Sequence, residues 1–258
     1  MKVKPPGRER FSHPLLPRSL RPLLKDHPMK PLLPLVLAGL LAGCATNRDL
    51  ASEPLRMSQD IAAFEESDRV TPPPSGALLL SGASTMRLWK SAQADFAPMP
   101  VINRGFGGSY TTEVAGYMER ITLPYRPRVV VLHCGSNDIN AGDSADRVVA
   151  RTESYFLSLR RVHPDAALVI LSTIHAPLRR SKWDEMRKAD DGFRAIAATH
   201  RGVRFVDINE ALNFPGDEPR PDSYLKDDLH PTQAGYEAML RLVKPAVEAA
   251  WRENAKAY

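Results

Sequence analysis

Cysteine is scarce in this chain of 258 residues, which contains only Cys44 and Cys134. Two cysteines cannot build a disulfide-rich scaffold, and Cys and His residues nowhere show the spacing of a metal site. Cys134 ends the apolar run 129–134, so we expect it to be a small buried side chain. The sequence therefore predicts neither a metal nor another cofactor.

An excess of positive charge is missing from most of the chain, although the formal net charge is +5. Residues 1–43 contain eight Lys or Arg against two Asp or Glu. Residues 44–258 therefore hold 27 basic and 28 acidic residues, a net charge of −1. No basic stripe remains there that could bind nucleic acid.

The N-terminal part lacks an apolar run long enough to span a bilayer. A short cationic stretch at Met29 and Lys30 precedes the apolar residues 31–41, and small residues and Cys44 follow. This order predicts a bacterial export signal. The sequence Leu-Ala-Gly-Cys resembles a lipoprotein processing box, in which Cys44 receives lipid. A plain secretory peptide that ends near Ala45 is the alternative.

Proline, with 23 residues, is concentrated in the first 75 positions, where it disfavours long helices and central strands. We therefore predict a leader over residues 1–43, with Met29 as a hypothetical true start, a tether over 44–75 and a folded domain over 76–258. A short helix around 59–66 is expected within the tether. The leader predicts export to the cell envelope and a lipid anchor that faces the periplasm.

After residue 76, apolar runs alternate with helical patterns. Near-continuous apolar strands joined by helices predict a parallel sheet covered on both faces. We expect a three-layer α/β/α sandwich of about five strands, similar to flavodoxin, with ligands beyond the carboxyl ends of the strands. The expected strands are 77–81, 101–103, 129–134, 167–173 and 203–208. The expected helices are 109–120, 144–162, 183–199 and 233–251.

Polar residues and glycines follow the first three strands. Ser84 stands at the first strand-to-helix turn, where it is either a nucleophile or a helix N-cap. The second strand runs into a glycine-rich loop that includes Gly108, whose N–H groups could hold an anion or form a tight turn. After the third strand, Asn137 could donate to a negative oxygen or serve as a turn residue.

A loop before the last helix carries Asp227 and His230. A histidine can act as a general base near neutral pH. An acid three residues earlier can fold back to the other ring nitrogen and fix its tautomer. A solvated turn is the alternative for this loop. The four sites together, however, supply every part that acyl transfer needs.

These blocks resemble the four signature blocks of the SGNH hydrolases, also called GDSL esterases/lipases, over roughly residues 76–250. The resemblance implies the SGNH hydrolase fold, Ser84 as nucleophile, His230 as base and Asp227 as its orienter. It also implies an oxyanion hole formed by the N–H groups of Ser84 and Gly108 and by the side chain of Asn137. The family usually has Asp where Ala83 stands here.

Other polar residues have less defined roles. His175, Arg179 and Trp183 follow the fourth strand and could line a substrate pocket or belong to a solvated loop. His133 lies inside an apolar strand, and we expect it to be a core residue with its hydrogen bonds satisfied.

The favoured function is therefore a serine esterase that works through an acyl-enzyme, on short-chain or carbohydrate esters. Its partners would be a small-molecule or glycan ester and a membrane reached through the lipid anchor. Three alternatives remain: a lipolytic lysophospholipase or thioesterase, a non-catalytic glycan-binding lipoprotein, and a phosphate- or nucleotide-binding domain that uses the loop 105–108.

Overall fold

The structure, a computed structural model, describes residues 56–254. The predicted leader with Met29, and Cys44 at the start of the predicted tether, lie outside this part. Five parallel strands form one sheet with the order β2-β1-β3-β4-β5. The strands are β1 (Leu78–Gly82), β2 (Val101–Gly105), β3 (Val129–His133), β4 (Ala167–Leu171) and β5 (Val203–Val206).

The strand order confirms the flavodoxin-like prediction. The chain adds β2 on one side of β1 and then β3 on the other, so the direction of winding reverses between β1 and β3. In open parallel sheets, such a reversal opens a crevice at the carboxyl ends of the two strands. In the register, Gly82 at the end of β1 lies opposite His133 at the end of β3.

Helices cover both faces of the sheet, which explains why the strands are apolar on both sides. On one face, Leu79 and Val130 pack with the core residues of two long helices, α7 (Ala145–Val162) and α8 (Trp183–Thr199). On the other face, Leu78 and Val131 pack with α10 (Gln233–Glu253). The α-helices are α1 (Ser58–Val70), α2 (Ser84–Leu88), α3 (Ala92–Asp95), α4 (Thr111–Gly116), α5 (Met118–Ile121), α6 (Ser136–Asn140), α7 (Ala145–Val162), α8 (Trp183–Thr199), α9 (Asn209–Leu212) and α10 (Gln233–Glu253). The 3₁₀ helices are Leu123–Tyr125 and Pro177–Lys182.

The expected helix over 109–120 is two short helices in the structure. α4 ends at Gly116, and α5 begins at Met118 after Tyr117. Glycine is unfavourable inside a helix because it has the most backbone freedom to lose. The apolar spacing continues through this point, so the pattern alone did not reveal the break.

The expected tether over 44–75 contains a helix that packs on the domain. α1 is longer than the short helix expected there, and its Ile61 is fully buried in the core. Asp68 of α1 also pairs with Arg104 at the end of β2. Residues 58–70 are therefore part of the folded domain rather than of a tether. Within residues 56–254, no helix has both the length and the apolar character needed to cross a membrane.

Replacing Ile61 by Ala tests this assignment. We expect the free energy of unfolding to fall by about 2–5 kcal/mol, because a buried isoleucine loses its packing and leaves a cavity. Val70 is the control because it lies in the same helix but is 76% exposed. Val70→Ala should change the free energy of unfolding by at most about 0.5 kcal/mol. Urea unfolding of the two variants measures both. Equal values would mean that α1 does not contribute to the core.

Candidate active site

The turn from β1 into α2 places Ser84 at the crevice. Gly82 has a φ of +127°, and a Cβ there would lie 2.0 Å from the carbonyl oxygen of His133. Only glycine fits such a close approach in this conformation. The N–H of Ala83 donates to the same carbonyl oxygen at 3.1 Å. Ser84 is the next residue and begins α2, where the first N–H groups of a helix have no partner within it.

Three predicted residues form one chain of hydrogen bonds. The Oγ of Ser84 lies 2.9 Å from Nε2 of His230, and Nδ1 of the same ring lies 2.7 Å from Oδ2 of Asp227. With the Nδ1 proton donated to the carboxylate, Nε2 is the acceptor for the serine hydroxyl. The arrangement can therefore move a proton from Ser84 to the imidazole.

The carboxylate of Asp227 is held in place by backbone groups of its own loop. The backbone N–H groups of Leu229 and His230 both donate to Oδ1 of Asp227 at 3.0 Å. Burial acts to raise the pKa of Asp227, but hydrogen bonds from His230 and Leu229 outweigh it and lower this pKa to about 2. The carboxylate is therefore ionised at neutral pH and can stabilise a positively charged imidazole.

Asn137 reaches the crevice from the end of β3. Its Nδ2 donates to the carbonyl oxygen of Ser109 at 3.0 Å, and its Oδ1 accepts from Nη2 of Arg179 at 2.6 Å. Gly108, with a φ of +75°, is the residue before Ser109. The segments that follow β2 and β3 therefore meet at Asn137, next to Gly108, the other predicted donor of the oxyanion hole.

Asp138 is a further positioning residue, which none of the predictions from the sequence includes. Its buried carboxylate accepts from the N–H of Thr111 at 2.9 Å and from the hydroxyl of Thr111 at 2.5 Å. Nη1 of Arg151 lies 3.5 Å from Oδ1 of the same carboxylate. These contacts fix the start of α4 against α6, and so hold the two loops together. Thr111 is 27 residues distant in sequence, and no local signal indicated the contact.

A small cavity lies beside Ser84, with an accessible volume of about 20 Å³. Arg179, one of the three residues predicted to line a substrate pocket, lines this cavity. His175 and Trp183 are buried and are not among the described residues that line it. The lining residues are Ala83, Ser84, Thr85, His133, Cys134, Gly135, Ser136, Asn137, Ile174, Arg179, Leu229 and His230.

His133 is buried as expected, but its hydrogen bonds are not satisfied. Neither ring nitrogen has a hydrogen-bond partner among the described residues. Burial and the nearby charge of Arg179 lower the pKa of His133 to about 4. The imidazole is therefore neutral at neutral pH.

His175 lies between two carboxylates instead of facing the cavity. Its Nε2 is 3.1 Å from Asp190 and its Nδ1 is 3.3 Å from Asp217, at ion-pair distance but without hydrogen-bond alignment. Trp183 stacks on the ring. Burial acts to lower the pKa of His175, but the two carboxylates raise it above its ordinary value. His175 therefore connects α8 to the loop that carries Asp217.

Metal ligands do not cluster in the described part of the chain: no group of three His, Cys, Asp or Glu side chains in residues 56–254 is placed to hold an ion.

Comparison with known sequences gives a family for this site. The GDSL-like lipase/acylhydrolase family matches residues 76–238. The chain belongs to this family. Membership supports a hydrolase that acts on esters, and the matched range includes Ser84, Asn137, Asp227 and His230. No curated protein sequence matches the chain.

Solved structures with the same fold include three ester hydrolases. A GDSL-like lipase from Bacteroides thetaiotaomicron is 21% identical, with a TM-score of 0.62, and the match covers 74% of this chain and 98% of that one. A carbohydrate esterase of family 3 from Talaromyces cellulolyticus is 14% identical, with a TM-score of 0.56 and coverage of 69% and 99%. A mutant acetyl-xylooligosaccharide esterase from Geobacillus is 18% identical, with a TM-score of 0.53 and coverage of 65% and 92%. At these identities the likeness shows the fold.

Replacing Asp217 by Asn should lower the pKa of His175, because one of the two carboxylates that favour the charged imidazole is lost. A raised pKa in the folded state means that protonation of His175 adds stability below its unfolded pKa of about 6.5. That stability is lost as the pH rises through the higher folded pKa, so the variant should lose most stability at low pH. An NMR titration of the imidazole measures the pKa.

Glu218→Gln is the control for this titration, since Glu218 is the next residue and pairs with Arg180. It should leave the pKa of His175 unchanged. An unchanged pKa in Asp217→Asn as well would mean that Asp217 does not contact the ring in solution.

Proposed function

We propose that the protein is a serine ester hydrolase in which Ser84 is the nucleophile, His230 the general base and Asp227 its orienter. The observation that carries this proposal is the pair of contacts at 2.9 Å and 2.7 Å that join the three side chains. Membership of an acylhydrolase family supports it. A binding protein would need a crevice, but it would not need a serine hydroxyl aligned with an imidazole and a carboxylate.

The mechanism is acyl transfer in two steps. Nε2 of His230 takes the proton of Ser84 as Oγ attacks the ester carbonyl carbon, and the alcohol leaves with that proton. Water then attacks the acyl-enzyme with the same imidazole as base, and the carboxylic acid and free Ser84 are released. The ionised carboxylate of Asp227 stabilises the imidazolium in both steps.

The oxyanion hole of this proposal consists of the N–H groups of Ser84 and Gly108 and Nδ2 of Asn137. Each tetrahedral intermediate carries a negative oxygen, and fixed donors stabilise this oxygen more than the ester carbonyl. Support comes from the place of Ser84 at the start of α2 and from the contact of Asn137 with Ser109, the residue after Gly108.

The proposed substrates are short-chain or carbohydrate esters. The cavity beside Ser84 is small, with an accessible volume of about 20 Å³, so an acetyl group fits better there than a long acyl chain. Two structural neighbours are named as esterases of carbohydrates. An envelope location, as proposed below, would give access to acylated glycans.

Hydrolysis of p-nitrophenyl acetate, butyrate and octanoate tests the activity. Ser84→Ala should abolish turnover, because the nucleophile is gone. Asp227→Asn should lower turnover by about 10³–10⁴-fold, because the imidazole of His230 is then held in the wrong tautomer. Asp228→Asn is the matched control and should stay near wild type. The rate should fall from acetate to octanoate.

The outcomes separate the rival functions. A folded wild-type protein as inactive as Ser84→Ala, and unreactive with a fluorophosphonate, would favour a non-catalytic binding protein. Fastest turnover of octanoate would favour a lipolytic enzyme instead.

Export and anchoring are a further part of the proposal. The sequence at 41–44 supports lipid attachment to Cys44 and a position at a bacterial membrane facing the periplasm. Cys44 lies outside the residues that the structure describes.

Metabolic labelling with a clickable fatty acid tests the anchor. The wild-type chain should take up label and sediment with membranes, and Cys44→Ala should do neither, because its thiol is the proposed attachment point. Cys134→Ala, which removes the other cysteine, should be labelled like wild type. Label that persists in Cys44→Ala would place the lipid elsewhere.

A further inference from the structure

Arg179 is a buried cation beside the proposed active site. It lies in the 3₁₀ helix that follows β4, is only 9% exposed, and lines the cavity with Ser84 and His230. None of the ion pairs among the described residues includes Arg179, whereas buried charges are usually paired. The hydrogen bond that the structure gives it is the one to Oδ1 of Asn137, at 2.6 Å.

This bond and one other determine which way the Asn137 amide faces. Oδ1 faces the Arg179 donor, and Nδ2 faces the carbonyl oxygen of Ser109. A flipped amide would put its NH₂ group against the guanidinium, which has no acceptor, and its oxygen against a carbonyl oxygen. Both contacts therefore favour the same orientation, and the Ser109 carbonyl uses only one of the two hydrogens on Nδ2.

We propose that Arg179 is a positioning residue that orients and polarises the Asn137 amide, so that its second N–H is a strong donor to the oxyanion. This inference rests on the proposed esterase function. A cation bound to Oδ1 draws electron density toward the oxygen and strengthens the N–H groups at the other end of the amide. Loss of Arg179 should therefore lower kcat rather than raise KM, and only when Asn137 is present.

A direct contact between Arg179 and an anionic substrate group is the rival explanation. Such a contact would change KM for anionic substrates and would persist without Asn137. A neutral substrate and a double-mutant cycle distinguish the two explanations.

The experiment measures kcat and KM for p-nitrophenyl acetate and the rate at which a fluorophosphonate labels Ser84. Asn137→Ala should lower kcat by about 10²–10³-fold, the usual loss for one oxyanion donor. Arg179→Met should lower kcat by about tenfold or more at nearly constant KM, and the labelling rate by a similar factor. Arg179→Lys should recover most of the loss because it restores a cationic donor.

The double variant Arg179→Met/Asn137→Ala should label no more slowly than Asn137→Ala alone, within about twofold. Arg180→Met, at the exposed neighbouring arginine, is the matched control and should keep the wild-type rate. If Arg179→Met does not fold, as judged by circular dichroism, Arg179→Gln replaces it in the same cycle, since Gln lacks the charge.

Three results would overturn the inference: a wild-type kcat in Arg179→Met, an equal loss in the presence and absence of Asn137, or a change confined to KM. Failure of the proposed function would look different. In that case the wild type itself would be as unreactive as Ser84→Ala toward both the ester and the fluorophosphonate.

Discussion

The close approach of β1 and β3 at their carboxyl ends is the constraint on which the site depends. Gly82 has no room for a side chain against the His133 carbonyl, and Ala83 donates to that same oxygen. The two chains therefore leave the sheet side by side, at the point where the direction of winding reverses. Ser84 follows one strand and Asn137 the other, so this backbone contact brings them to one crevice.

Two different kinds of interaction hold the remaining parts of the site. Asp227 and His230 are oriented locally, because the loop folds back and its own N–H groups bind the carboxylate. Asn137 is instead oriented over long distances in sequence, by Ser109 and by Arg179. The proposed proton relay thus depends on a short turn, and the proposed oxyanion hole on the packing of three segments that are distant in sequence.

Buried polar contacts carry much of this long-range order. Asp138 takes two hydrogen bonds from Thr111, and His175 sits between Asp190 and Asp217. Groups of this kind are costly to bury unless they find partners, so each pair favours one arrangement of its loops. The position of His175 in such a cluster explains why it is absent from the cavity, where its place after β4 had suggested it.

The sequence by itself determined the layers and the strands, and its resemblance to a known family indicated Ser84, Asp227 and His230 for the proposed relay. Hydrophobic periodicity and a three-residue spacing are local properties, and they can be read without knowing which segments meet. Tertiary structure alone decided that α1 packs on the domain, that Thr111 binds Asp138, and that Arg179 binds Asn137 across 42 positions. Such contacts depend on how helices and loops pack in three dimensions, and a polar residue in a loop carries no local sign of its distant partner.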